Sequence, residues 1–414
     1  MYTRLIQLSL VVLVQLVCVL GLWSQPALAL TDEQELVNEA WRIVNRSYLD
    51  ATFNHQNWLR LRQKLLRQPL ADRASAYEAI DHMLASLGDP FTRFLDPDQY
   101  RSLQVSTSGE LTGVGLQITI DEPSGQLQVI TPLEGSPAEA VGIQPLDYIL
   151  KIDGESTEGM SLDEAADRMR GPIGTQVVLT IAPNQAPQAS PREVTVTRDR
   201  ILLNPVTAQL HLTSQGIPIG YLRLSQFNAN AVQELKRSLL TLEQSHPVGY
   251  ILDLRNNPGG LLQAGIEIAR LWVDDGPIVY TVNRQGVVGS FDAIGAAITH
   301  APLVVLVNQG TASASEILAG ALQDSGRAIL IGERTFGKGL IQSLFKLSDG
   351  SGMAVTVAKY ETPNHHDIHK RGIQPDRVVP LPPLPRQQLG TEQDLQYQAA
   401  VDALTQQTVL VGAA

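Results

Sequence analysis

The chain has 414 residues, 43% hydrophobic and 18% charged, with a formal net charge of −11 at pH 7. That length exceeds one ordinary core and calls for two or three domains. The acidic balance argues against nucleic acid or an anionic lipid surface as a partner, and a single cysteine, Cys18, excludes disulfides and cysteine metal sites.

Arg4 is the one charge before an apolar stretch over 8–23, which ends in Ser24-Gln25-Pro26 and Ala27-Leu28-Ala29. A basic start, an apolar middle and an Ala-x-Ala end make 1–29 a secretory leader, so the mature protein is exported. The competing reading is a retained membrane anchor, but the run is near the lower length for spanning and a cleavage signal follows it. Residues 30–104 read as a helical domain. Thr31 and Gln34 form a T-x-x-Q capping pattern, Val37, Ala40, Trp41, Val44 and Tyr48 follow at helical spacing, and a second helix is expected over 74–87. Over 105–200 the pattern changes. Strands are expected at 116–120, 126–130, 177–181 and 193–196, helices at 137–141 and 162–169, and a long hairpin loop at 183–191. Residues 201–380 alternate apolar strands (220–224, 249–254, 303–307, 328–331, 340–347, 353–359) with helices (231–243, 262–271, 315–322), the pattern of an α/β core. A Pro-rich spacer opens the tail 381–414, which continues as a helix over 392–404.

Familiar catalytic motifs are absent: the chain has neither H-E-x-x-H nor G-x-S-x-G. His365, His366 and His369 cluster near Asp367, which reads as a polar loop between strands, since no other ligand has metal spacing; no metal is expected. Residues 332–339 match G-x-x-x-x-G-K, yet Gly339 stands where a phosphate loop needs Ser or Thr, and a strand pattern follows where it needs a helix. No nucleotide and no cofactor are expected. Lys338, flanked by glycines, therefore has another task. Ser313 follows the strand at 303–307 and opens a helix. Ser313-x-x-Glu316 reads either as a capping box or as a nucleophile whose oxyanion faces the helix N-terminus. A serine nucleophile without a histidine can use a neutral lysine. Burial lowers a lysine pKa, and Phe336, Leu340 and Ile341 are expected to supply the apolar pocket. Asp253-Leu254-Arg255-Asn256-Asn257-Pro258-Gly259-Gly260 closes a strand in a Pro-Gly turn, with an unshielded N–H at Gly259.

T-A-S-A-S-E at 311–316, F-G-K-G at 336–339, D-L-R-N-N-P-G-G at 253–260 and G-I-Q-P-D at 372–376 together resemble the carboxyl-terminal processing peptidases, or tail-specific proteases. The resemblance covers nearly all of the chain after the leader. E-A-W-R-I-V-N at 39–45 and T-F-N-H-Q-N-W at 52–58 are similar to the photosynthetic branch, which matures the precursor of a photosystem II reaction-centre protein in the thylakoid lumen. The resemblance implies Ser313 as nucleophile, Lys338 as general base, Gln342 as the residue orienting the lysine, and the backbone N–H groups of Gly259 and Ala314 as oxyanion donors. Residues 105–200 resemble a PDZ domain, with Gly113-Val114-Gly115-Leu116 as the loop that holds a peptide's terminal carboxylate while the peptide adds to the sheet edge.

The expected architecture is thus multidomain α/β (α+β): a helical N-terminal region, a PDZ domain, an α/β protease core with a mixed sheet over 201–380, and a C-terminal tail packing on that core. The expected partners are the C-terminal tails of substrate proteins, a membrane-embedded one among them, in the thylakoid lumen or periplasm. A general quality-control protease shares the same motifs. A non-catalytic PDZ module would have lost Ser313 or Lys338, and a crotonase-like enzyme would need a cofactor pocket for which no motif is present.

Overall fold

The computed structural model describes residues 30–412 apart from 122, 134, 184–189, 381, 383, 386 and 387. The expected leader, most of the expected loop at 183–191 and part of the Pro-rich spacer lie outside the described residues. Among the described residues, no helix is long and apolar enough to cross a membrane. The chain forms two compact units, Met1–Asp96 with Leu344–Val355, and Pro97–Ser343 with Thr356–Ala414.

In the first unit the helix Asp32–Ser47 begins as its spacing predicts. Thr31 Oγ1 accepts the Gln34 N–H at 3.2 Å, and Gln34 Oε1 accepts the Thr31 N–H at 3.1 Å. Its buried stripe is Leu36, Val37, Ala40 and Val44. The helix Arg73–Ala85 is capped by Asp72, whose Oδ1 accepts the Ser75 N–H at 2.9 Å. A further helix, Trp58–Leu65, was not anticipated; Asn57 caps it by accepting the Arg60 N–H at 2.9 Å. Within the stretch read as helical, Arg93–Leu95 is a strand, paired antiparallel with Gly352 to Ala354. Three residues are too few to show a period.

The second unit contains two six-stranded sheets. In the first, the order is Leu116–Ile120, Leu127–Pro132, Tyr148–Ile152, Gln176–Ala182, Arg192–Thr197, with Glu155–Ser156 beside Tyr148–Ile152. Alternate residues Val177, Leu179 and Ile181 turn inward onto Val129, Ile149 and Ile152. Leu116–Ile120 is an edge strand, and the helix Leu162–Met169 packs beside it.

The second sheet has the order Val206–Leu212, Pro218–Leu224, Tyr250–Asp253, Leu303–Val307, Ile329–Gly332, Arg377–Val378. The first pair is antiparallel and the rest are parallel, so the sheet is mixed, as expected. Every residue of Leu303–Val307 is buried because both faces are covered. The helices Ala231–Glu243, Leu262–Arg270 and Ala314–Asp324 meet Leu252, Val305 and Leu330 on one face. On the other face, Tyr397, Ala400 and Leu404 of the helix Leu395–Gly412 meet Ile251, Val304 and Leu306. The hairpin Pro277–Asn283 and Gly286–Asp292 was not read from the sequence.

Parallel register sets Leu252 beside Val305 and Asp253 beside Leu306. The loops leaving the carboxyl ends of these two neighbouring strands are 254–260 and 308–313. Sites in such sheets form there.

Candidate active site

Ser313 joins the strand Leu303–Val307 to the helix Ala314–Asp324 with φ 57° and ψ −120°. A non-glycine residue in this region costs about 1–3 kcal/mol and persists only where the surroundings hold it. Three contacts do so. The Ala312 N–H donates to the Asn257 carbonyl at 3.0 Å, Ser315 Oγ donates to the same carbonyl at 3.0 Å, and Thr311 Oγ1 donates to the Leu254 carbonyl at 2.9 Å. The Ser313 turn is therefore laced to the loop over 254–260.

Gly259 sits against that turn. A Cβ there would lie 2.8 Å from Ser313 Cβ and 2.9 Å from the Ala314 nitrogen, at φ +95°. Only glycine permits this approach. The Gly259 N–H donates to Asn257 Oδ1 at 2.9 Å, closing a turn within its own loop. Ala314, the first residue of the helix, is buried beside it.

The loop carrying Lys338 is tied to the same turn by Glu316. Oε1 of this fully buried carboxylate accepts the Thr335 hydroxyl at 2.5 Å and the Gly337 N–H at 2.7 Å. Oε2 accepts the Lys338 N–H at 2.8 Å and the Ser313 N–H at 3.0 Å. Burial pushes the Glu316 carboxyl up from its ordinary value, while these hydrogen bonds pull it back. All four neighbours are donors, so the ionised form is the one they satisfy. Tyr360 adds a second tie: its buried hydroxyl lies 2.8 Å from the Lys338 carbonyl and 3.1 Å from the Ser313 carbonyl. Two structures twenty-five residues apart in sequence are thus held by one carboxylate and one phenol.

Gln342, on the strand Leu340–Lys346, donates from Nε2 to Thr356 Oγ1 at 3.3 Å. Phe336 does not bury the lysine as expected. It is 59% exposed, because Thr335 and Gly337 on either side take the inward positions. Ile341 does pack against the core. The residues after Gly339 form the strand Leu340–Lys346, where a phosphate-binding loop would run on into a helix. His365 stacks on Tyr280 at 4.2 Å, and Asp367 accepts from Lys359 at 3.1 Å.

Away from this cluster, Gly113 ends the strand Glu110–Gly113 and Val114 is buried. The Val114 carbonyl accepts the Ala138 N–H at 2.9 Å, and the Gly115 carbonyl accepts the Leu133 N–H at 2.9 Å. In a trans peptide the following N–H points the opposite way. The N–H groups of Gly115 and Leu116 therefore face away from 133–138, at the start of the edge strand.

The signature of peptidase family S41 matches residues 218–379, and that of a PDZ domain matches 128–183. The Carboxyl-terminal-processing protease of Synechocystis sp. is 62% identical over 379 residues, covering 92% of this chain and 88% of the relative. The chain belongs to peptidase family S41. It is a serine-type, carboxyl-terminal-processing peptidase with a PDZ domain. The chloroplastic Carboxyl-terminal-processing peptidase 2 of Arabidopsis thaliana is 46% identical over 387 residues, 91% of this chain and 74% of that one. A solved structure, the photosystem II D1 C-terminal processing protease, aligns with TM-score 0.58 at 44% identity, covering 88% of this chain and 98% of that chain.

Glu316 joins the Ser313 turn to the Lys338 loop through both of its oxygens. Glu316→Gln leaves one acceptor oxygen and turns an NH2 group on N–H donors. We expect kcat to fall on the order of a hundredfold, because Glu316 ties the Ser313 turn to the Lys338 loop and small misplacements of reacting groups cost that much. Steady-state kinetics on a tail peptide checks this. Unchanged turnover would make Glu316 a helix cap and nothing more.

Proposed function

We propose that this peptidase removes C-terminal extensions from exported proteins with Ser313 as nucleophile and Lys338 as general base. The observation that carries the reading is the strained Ser313 turn at a helix N-terminus, joined through the Glu316 carboxylate to the loop that bears Lys338. The neutral Lys338 amine takes the Ser313 hydroxyl proton as Oγ attacks the scissile carbonyl. The oxyanion forms at the N–H groups of Ala314 and Gly259, the latter exchanging Asn257 Oδ1 for the substrate oxygen. The Lys338 ammonium then protonates the departing amine, and the extension leaves. Water, deprotonated by the same lysine, hydrolyses the acyl-enzyme. Gln342 orients the lysine.

In this reading the PDZ domain selects the substrate. The N–H groups that follow Val114 and Gly115 take the terminal carboxylate, and the tail adds as a strand to the open edge Leu116–Ile120, beside the helix Leu162–Met169. The leader at 1–29 sends the enzyme to the thylakoid lumen or periplasm. The likeness to a photosystem II D1 processing protease makes the precursor of that reaction-centre protein, membrane-embedded with its tail in the lumen, the substrate we infer. The test is to incubate the enzyme with such a tail, with unrelated tails and with C-terminally amidated copies, reading products by mass. The acid form of the reaction-centre tail should be cut at one bond, and amidation should lower kcat/KM about tenfold or more, the loss of a charge-assisted anion site. Equal rates for acid and amide remove the carboxylate-reading role, and equal rates for all tails make the enzyme a general tail-specific protease.

A further inference from the structure

Arg255 lies between the end of the strand Tyr250–Asp253 and the turn that presents Gly259, and it is 1% exposed. Its guanidinium has five N–H donors, and the structure matches all five. Nε donates to Asp253 Oδ1 at 3.0 Å and Nη2 to Asp253 Oδ2 at 2.7 Å. The other three go to a segment well over a hundred residues later: Nη1 to Asp394 Oδ1 at 2.9 Å and Gln396 Oε1 at 3.0 Å, and Nη2 to Asp394 Oδ2 at 2.6 Å. Asp394 is itself fully buried and fixed, accepting the N–H groups of Gln396 and Tyr397 at 3.1 Å each and of Gly390 at 2.9 Å. The helix that follows seats Tyr397, Ala400 and Leu404 on the sheet face behind the two loops of the site.

We propose that Asp394 is a positioning residue for the peptidase reaction, acting through Arg255 to fix the loop that offers Gly259 to the oxyanion. It rests on the reading of Gly259 as an oxyanion donor. The C-terminal segment thereby becomes part of the active-site machinery. The physical reason is the dry setting of the guanidinium. Asp253 satisfies two of its donors. Without Asp394 two more would be orphaned in the interior, and the side chain would have to turn to find partners. The arginine's own backbone leads within four residues to Gly259, which clears Ser313 by so little that a Cβ would approach Ser313 Cβ to 2.8 Å. Arg223 braces the same residue from the opposite side, donating to the Arg255 carbonyl at 3.3 Å and to Asp253 Oδ2 at 3.1 Å. The loop is thus held by charge on both sides, and among the described residues Asp394 is the one ionic hold that comes from outside the central strands.

Asp394→Asn keeps an oxygen for the Gln396 and Tyr397 N–H groups but turns an NH2 group toward Arg255 Nη2. The full-length enzyme is assayed well below its melting temperature. The expected result is a kcat lower by on the order of tenfold to a hundredfold with KM within about twofold, since the loss falls on transition-state stabilisation. Affinity for a peptide aldehyde, which forms a tetrahedral adduct with Ser313, should fall by the same factor, while binding of an uncleaved tail to the Ser313→Ala form of the same variant stays unchanged. Leu404→Ala loosens the helix without touching Arg255 and should lower Tm while leaving kcat at wild type. If Asp394→Asn does not fold, Gln396→Met removes one acceptor from Arg255 and should lower kcat several-fold with the same KM. An Asp394→Asn or Gln396→Met enzyme that changes only its Tm, or only its KM, overturns the proposal. Gly259→Ala separates this from the underlying reading: if it retains kcat, Gly259 is not the donor, whereas an inactive Gly259→Ala beside a fully active Asp394→Asn leaves the donor and removes the clamp.

Discussion

Replacing Ser313 with alanine should abolish cleavage, with a loss in kcat on the order of 10⁶-fold, the scale seen when a serine nucleophile is removed from a cooperating set. Tail binding should survive nearly unchanged, because the loop over Gly113 to Leu116 and its edge strand belong to a different sheet. The strain at Ser313 adds a second readout. Alanine inherits φ 57° and ψ −120°, and with them the backbone cost. Glycine does not, so Ser313→Gly should be as inactive as Ser313→Ala yet more resistant to unfolding by about 1 kcal/mol. Mass spectrometry of products, a binding titration and urea unfolding of the two variants check the three parts. Residual turnover near wild type in Ser313→Ala would end the nucleophile assignment. A glycine variant less stable than the alanine one would show that the turn stores no strain.

The features legible in the sequence were those with a period or a local cap. The strand Leu303–Val307 and the helices Ala231–Glu243 and Leu162–Met169 fall where their patterns predict, because continuous apolar runs and i, i+3, i+4 spacing survive any tertiary setting. Trp58–Leu65 was missed because Arg60, Arg62 and Lys64 interrupt its short apolar face, and the one clear signal is the Asn57 cap. Val206–Leu212 exposes both faces over most of its length, so no alternation marks it. The contribution of Leu344–Val355 to the first compact unit is a long-range event that no window shows.

The site divides the same way. Ser313, Lys338 and Gly259 stand in motifs that can be matched by eye, and their neighbourhood can be guessed from glycines and a helix start. What binds them together cannot. Glu316 looks like half a capping box, and it does cap the helix, but the same carboxylate reaches Thr335, Gly337 and Lys338. Tyr360 lies one residue beyond the strand expected over 353–359, and nothing in the sequence marks the two carbonyls that its hydroxyl meets. Arg255 reads as part of a turn, and its partner Asp394 lies in a tail that the sequence marks only as helix-compatible. The hydrophobicity of Phe336 predicts a place in an apolar pocket, and the backbone turns it outward. Burying a polar group requires a partner, and those partners come from contacts made across the fold.

The lysine assignment makes the sharpest kinetic demand. A general base must be neutral when it acts, so activity should rise with pH as the Lys338 ammonium loses its proton, and kcat/KM should follow one ionisation belonging to the free enzyme. Lys338→Arg keeps the positive charge and much of the length, but a guanidinium stays protonated at every accessible pH. It should therefore be inactive throughout, with a loss comparable to that of Ser313→Ala, because a nucleophile and its base act as a unit. The backbone tie should be indifferent to the change, since Glu316 holds the Lys338 N–H and Tyr360 holds its carbonyl without using the side chain. Tm should thus stay close to wild type, which separates a chemical loss from a structural one. Lys338→His restores a base of lower pKa and should recover a little activity, with its pH profile moved to lower pH. Rate profiles from pH 5 to pH 10 on the three proteins decide the matter. Near-normal turnover by Lys338→Arg would show that another group takes the proton, with His369 or a carboxylate near Asp253 next to be tested.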